Sequence, residues 1–296
     1  MDPDSIKSVK GSETQGHRFE GGLSTKGVTK KEIEEKPLVS IITVVLNGED
    51  YILETINSVL NQTYDNIEFI IIDGGSTDGT LDIIRKFEER IDLWVSEPDR
   101  GIYDAMNKGI AFATGSYLNF LNSDDHYVDS RVLERIIGVF KKTGVALVYG
   151  DTIMLNKSKG FGWLRHSDVN PLYFLFKGIP QQVFFYDRLL FQKYGTFNSE
   201  FKIVADLEYF LKITRKHGEK TKYVRMPLVV FNAGATSSNM EKKDEERGPV
   251  INQYFSKKIR FLFKNRFFFN QLARNDLTYP KITIVDRLLR KLFKSL

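Results

Sequence analysis

The chain has 296 residues, of which 42% are hydrophobic and 27% charged, and it contains no cysteine. These values exclude a disordered chain, a collagen-like repeat, a disulfide scaffold and a thiol nucleophile; no apolar run is long enough to span a membrane. Charge is unevenly placed: residues 251–296 hold 11 Lys and Arg against 2 Asp and Glu, whereas the other 250 hold 32 against 36.

Residues 1–36 are rich in Lys, Glu, Gly, Ser and Thr, a composition that buries little surface and predicts a flexible leader. The start is polar and does not read as a secretory signal, which with the missing cysteines points to a cytoplasmic setting. The globular pattern begins after Pro37. Leu38–Leu46 is a near-continuous apolar run, the mark of a strand buried on both faces. Tyr51–Leu60 has helical spacing, Ile67–Ile72 is a second buried strand and Leu81–Phe87 a second helix. Leu93–Val95 reads as a strand, Ile102–Ala113 as a helix, Ser116–Leu121 as a strand, Val132–Phe140 as a helix and Ala146–Tyr149 as a strand. This alternation predicts βαβ units and a mostly parallel sheet. Beyond it the pattern loosens: Val183–Tyr186 and Tyr223–Val230 are extended, Leu207–Ile213 is helical, and Asn232–Asn239 is a loop of small residues.

In such sheets ligands sit beyond the carboxyl ends of the strands. The residues there are Asn47, then Asp73-Gly74-Gly75, then Glu97, then Asn122-Ser123-Asp124-Asp125. Asp73 reads either as an acceptor for a base or ribose or as a plain Asx turn, and Ser76 or Thr77 can cap the next helix. The adjacent acids Asp124 and Asp125 repel unless a cation compensates. They read as a site for Mg²⁺ or Mn²⁺, or as a helix-start pair near Ser130. Asp206 reads as an acidic helix start or as a general base. The four histidines lack metal-ligand spacing; His126 alone lies beside the acidic rim. Arg100 and Lys108 are candidates to meet phosphates, though surface charge is the plainer reading.

Five blocks occur in order: Val39–Asn47, Ile72–Thr80, Ser96–Ile110, Ala113–Ser116 and Asn122–Asp125. Together they resemble the family 2 inverting glycosyltransferases of the GT-A fold, and Ser96–Ile110 resembles the colanic-acid and exopolysaccharide branch. The likeness covers roughly residues 37–235 and implies a GT-A domain over 37–240, followed by a basic amphipathic helical tail over 241–296. It implies that Thr43, Asn47, Asp73, Asn107 and Asp124 line a nucleotide-sugar site, with Asp73 on the base and Asp124 near the ribose or sugar. It implies that Asp125 holds Mn²⁺ or Mg²⁺ and that Asp206 is the catalytic base. Two departures are visible. Val44-Val-Leu-Asn47 replaces the usual Pro-x-Tyr-Asn, and Ala205 replaces the Glu that usually precedes the base. No QxxRW is present, which argues against the processive branch.

The implied reaction moves one sugar from a nucleotide donor, UDP-linked by expectation, to a lipid-linked glycan. Two rivals are a sugar-1-phosphate nucleotidyltransferase and a non-catalytic sugar-nucleotide-binding subunit. The first would carry a Gly-rich basic loop after the opening strand, which Asn47-Gly-Glu-Asp does not supply. In the tail, Val285, Leu288, Leu289, Leu292, Phe293 and Leu296 share one helical face and Arg287, Arg290, Lys291 and Lys294 the other. That pattern predicts peripheral binding to an anionic membrane, on the inner face of the plasma membrane, or packing on the domain. No nucleic-acid-binding motif accompanies the basic residues, so nucleic acid is not an expected partner.

Overall fold

The computed structural model describes residues 18–156, 160–164, 179–232 and 240–264. Its centre is four parallel strands: β2 (Val39–Val45), β3 (Ile67–Asp73), β4 (Leu93–Ser96) and β5 (Tyr117–Phe120), ordered β4-β3-β2-β5. Every residue of β2 is buried, as its unbroken apolar run requires, because helices cover both faces of such a sheet. The crossovers are α1 (Ile52–Leu60), α2 (Thr80–Lys86) and α3 (Ile102–Phe112). Helix α1 turns Ile52, Ile56 and Val59 inward, an i, i+4, i+7 stripe. Each such side chain contributes about 1.5–3 kcal/mol on burial.

The second half departs from the expected parallel order. After the two-residue β6 (His126–Tyr127) and α4 (Val132–Thr143) come β7 (Leu147–Asn156), β8 (Gly160–Leu164), β9 (Phe184–Asp187) and β10 (Thr221–Asn232). Strand β9 inserts antiparallel between β5 and β7, and β10 lies parallel to β7. The sheet is therefore mixed: parallel where short helical crossovers link neighbouring strands and again between β7 and β10, antiparallel where β9 closes the gap. Pro227 interrupts the β7–β10 register, consistent with its missing N–H. Among the described residues, the further α-helices are α5 (Leu189–Tyr194), α6 (Ala205–Leu211), α7 (Met240–Tyr254) and α8 (Lys257–Lys264).

Two boundary expectations are corrected. Residues 18–36 are not a loose leader: β1 (Phe19–Gly21) pairs with β4 at the sheet edge. Lys30 further anchors this segment to the buried Asp92 at 2.9 Å. Residues 241–255 are not a separate tail, since Val250, Ile251 and Phe255 join the main core. The first 17 residues and the amphipathic segment Val285–Leu296 lie outside the described residues.

Candidate active site

The ends of β2 and β3 form the first wall. Asn47 follows β2 with φ of 51°, a left-handed conformation that asparagine tolerates. Its side-chain oxygen accepts the Thr77 N–H at 2.9 Å, and its own N–H donates to the Ser76 hydroxyl at 2.7 Å. Gly48 and Glu49 continue the lacing to Thr80 and Asp78. Gly74 has a steric duty: a Cβ there would collide with the Asp99 carboxylate. Gly75, at φ 89°, completes the turn. The N-cap of α2 is Gly79, which has no side chain, and the Thr80 N–H goes to the preceding Asp78 at 3.0 Å rather than to Ser76 or Thr77.

Asp73 is buried and faces its own loop. Its carboxylate accepts the N–H groups of Gly75 (3.2 Å) and Ser76 (3.0 Å) and the hydroxyls of Ser96 (2.6 Å) and Ser76. A buried carboxylate needs such donors, and the Asx-turn reading is the one the backbone adopts. Asp73 thus braces the loop rather than standing open to a base.

The second wall is the turn 122–125, closed by the Asp125 N–H to the Asn122 carbonyl at 3.1 Å. Its two acids differ. Asp125, expected to hold the metal, is fully buried. One of its oxygens accepts the Gln182 side-chain amide and the other the Asn232 backbone N–H at 3.1 Å. Burial, and then Asp124 beside it, push its carboxyl well above the usual range. Asp124 keeps part of its surface, and burial raises it too. The Asn122 side-chain oxygen is buried with no hydrogen-bond partner. Asp124, which keeps surface, and the partnerless Asn122 oxygen are therefore the features of this turn that fit a cation, and Asp125 is held by Gln182 and Asn232. Among the described residues no three carboxylates or histidines stand together. The pair nonetheless fits a hard divalent ion that draws its other ligands from phosphate oxygens and water.

The third wall is the start of α6. Asp206 lies deep, ringed by protein atoms, yet keeps some accessible surface. Burial raises its carboxyl above the usual range, opposed by the Leu207 N–H, the Tyr103 hydroxyl, and the charges of Lys243 and Arg247. Tyr103, on α3, donates to Asp206 Oδ1 at 3.0 Å and is equally close to the Ile203 carbonyl. One hydroxyl proton cannot fully serve both, so the Asp206 carboxylate and the Ile203 carbonyl share it.

Residues 40–203 match the family described as Glycosyl transferase family 2. This chain belongs to glycosyl transferase family 2. A PGL/p-HBAD biosynthesis glycosyltransferase of Mycobacterium bovis (strain BCG / Pasteur 1173P2) is 33% identical over 223 residues, covering 72% of this chain and 85% of the relative. Among solved structures, S. aureus TarS 1-349 in complex with UDP-GlcNAc superposes with a TM-score of 0.61. It is 17% identical and covers 78% of this chain and 72% of that one. The mannosyltransferase PcManGT from Pyrobaculum calidifontis, in complex with GDP-Man and Mn²⁺, gives 0.55 at 21% identity, covering 79% and 67%. The glycosyltransferase activity and the GT-A-like fold follow; the colanic-acid branch is not singled out by these likenesses.

Within this glycosyltransferase two further expected donor residues are placed elsewhere. Thr43 is fully buried in the middle of β2, its hydroxyl without a hydrogen-bond partner. Asn107 spends both ends of its amide on Phe197, donating to the carbonyl at 2.8 Å and accepting the N–H at 3.0 Å. It ties α3 to the segment before α6. Arg100 pairs with Asp104 and Lys108 with Glu97, at 2.9 and 2.8 Å, as surface charges do. His126 approaches Glu54 at 3.5 Å. Sequence reasoning missed Tyr103, Gln182, Asn232 and the α7 residues. Only Tyr103 lay inside a recognised block; the rest reach the site from strands and helices without a local signature.

Proposed function

We propose that the enzyme is an inverting transferase that moves one sugar from a nucleotide-sugar donor to a lipid-linked glycan acceptor in surface polysaccharide synthesis. The observation that carries this reading is the setting of Asp206: a deep carboxylate that keeps some accessible surface and is aligned by Tyr103. The TarS and PcManGT complexes, with UDP-GlcNAc and with GDP-Man and Mn²⁺, support a nucleotide-sugar donor and a divalent cation. Asn122 and Asp124 would hold that cation, which when bound supplies charge neutralisation for a departing diphosphate. Tyr103 orients the Asp206 carboxylate, and Asp206 takes the proton of the acceptor hydroxyl. The acceptor oxygen then bonds to the anomeric carbon as its bond to the nucleoside diphosphate breaks on the opposite face, inverting the configuration. The Asn47–Asp78 lacing holds the rim on which the nucleoside rests.

A second element of the proposal is peripheral attachment to the inner face of the plasma membrane, supported by the basic, amphipathic segment 285–296. Each basic residue near an anionic surface contributes roughly 1 kcal/mol. Hydrolysis of a panel of UDP-, GDP- and dTDP-sugars with Mn²⁺, repeated with chelator, tests the donor and the cation. Turnover of none of them would defeat the transferase reading. Flotation with anionic liposomes at low salt tests attachment, and a chain lacking 281–296 that floats equally well would refute it.

A further inference from the structure

Helix α8 lies beyond the segment that matches the family, yet it is fixed to the wall that carries Asp206. Helix α7 makes the connection. Its Glu246 accepts the N–H groups of Lys202 and Ile203 at 2.8 Å and of Val204 at 3.2 Å, on the approach to α6. About 12 Å further along α7, Tyr254 donates to Glu208 of α6 at 2.6 Å. Arg260 of α8 then reaches back to the end of α7. It donates to the Phe255 carbonyl at 2.8 Å and to the Asn252 carbonyl at 2.6 Å, groups of the kind that a helix end leaves without intrahelical partners. The Arg215 guanidinium, from the helical turn after α6, lies over the Phe255 ring at 4.7 Å.

The outer face of α8 is built differently. Lys257, Lys258, Phe261 and Lys264 recur at helical spacing and are all exposed, Phe261 by 63%. Residues 255–264 contain no acid, and among the described residues no carboxylate pairs with these three lysines. A single exposed aromatic is ordinary on a protein surface. An exposed aromatic set among unpaired lysines on a helix without acids has the composition of a helix that lies in a membrane interface. The sequence runs on as Asn265-Arg266-Phe267-Phe268-Phe269, basic and aromatic again. We propose that α8 docks on the surface of an anionic phospholipid bilayer, with its lysines at the headgroup phosphates and Phe261 at the acyl boundary. The proposal rests on the membrane attachment put forward above and adds to segment 285–296 a docking face inside the described fold. Duplex nucleic acid would also attract three lysines, but its phosphate backbone offers no apolar layer for an exposed phenyl ring. Because α7 ties α8 to α6, docking at α8 fixes how far the Asp206 wall stands from the bilayer, as a lipid-linked acceptor requires.

The test measures partitioning of the full chain onto vesicles of equimolar phosphatidylglycerol and phosphatidylcholine, and onto phosphatidylcholine alone. The variant Lys257→Gln/Lys258→Gln/Lys264→Gln should bind the anionic vesicles about a hundredfold more weakly than wild type, since each lysine near such a surface is worth about fivefold. Phe261→Ser should weaken binding by about tenfold. All four positions are exposed, so a circular-dichroism spectrum like that of the wild type is expected of both variants. The chain has no cysteine, so Phe261→Cys carrying a nitrobenzoxadiazole label reports insertion at that one position. Its emission should shift to the blue on anionic vesicles, and the same label at Phe19→Cys on the β1 edge should not shift. Deletion of 281–296 separates the two attachments. A truncated chain that keeps the blue shift at position 261 supports α8 whatever the tail contributes. A truncated chain that no longer binds, when the full chain does, overturns docking by α8 and leaves attachment through 285–296 standing. Unchanged partitioning of the triple-lysine variant also overturns it, as does binding of duplex DNA with neither vesicle bound.

Discussion

The rim at the ends of β2 and β3 and the wall around α6 are built in opposite ways. The first is two neighbouring loops laced across about 30 residues, and its turn chemistry is local: Asp73 bonds to Gly75 and Ser76, and Asp78 to Thr80. The second draws Tyr103, Asp206 and Glu246 from three separated helices. The acidic turn is likewise held from afar, its Asp125 by Gln182 and by Asn232, 107 residues away. The rim is set by short-range geometry and tolerates substitution poorly at its glycines. The base wall is set by long-range packing and is vulnerable wherever those helices touch.

The largest expected effect separates chemistry from scaffold. Asp206→Asn should keep the fold and donor affinity and lose transfer by about 10²–10⁴-fold, the usual worth of a general base. An active Asn variant would move the role elsewhere on α6. The same site sets a pH dependence. Burial places the Asp206 carboxyl above the ordinary carboxylate range, and only its ionised form accepts a proton. Transfer should therefore fall as pH drops through that raised value, earlier than for an exposed aspartate, and a rate flat down to pH 4 would contradict it.

The acidic turn supplies the sharpest contrast. Asp124→Ala should abolish the Mn²⁺-dependent part of UDP affinity in calorimetry while leaving unfolding nearly unchanged. Asp125→Ala should do the reverse in stability, costing about 1–3 kcal/mol because the Gln182 amide and the Asn232 N–H lose their buried partner. Urea unfolding measures that loss. If instead Asp125→Ala leaves stability intact and removes the Mn²⁺ effect, the two roles are exchanged.

The smallest effect tests whether α3 serves the donor or the scaffold. Asn107→Ala should cost roughly 1–2 kcal/mol of stability through its two lost bonds to Phe197, with donor affinity unaltered. A fall in donor affinity without a fall in stability would return Asn107 to the donor site.

The parallel half of the sheet, the crossover helices and the acidic character of the rim were all legible in the chain. Runs such as Val39–Val45 bury both faces of a strand whatever surrounds them, and turn residues act within two or three positions. The mixed order of the second half was not legible, because β9 finds its neighbours β5 and β7 through space. Nor was the difference between Asp124 and Asp125: two adjacent acids look alike in sequence, and only Gln182 and Asn232 arriving from elsewhere bury one and leave the other part of its surface. The surroundings of Asn107 and Thr43 were hidden for the same reason, since a polar side chain in a family block does not reveal which backbone it faces. Short-range hydrogen bonding and hydrophobic periodicity are written along the chain. Which carboxylate keeps surface, and which helix holds the segment leading to Asp206, is decided only when distant segments pack and exclude water.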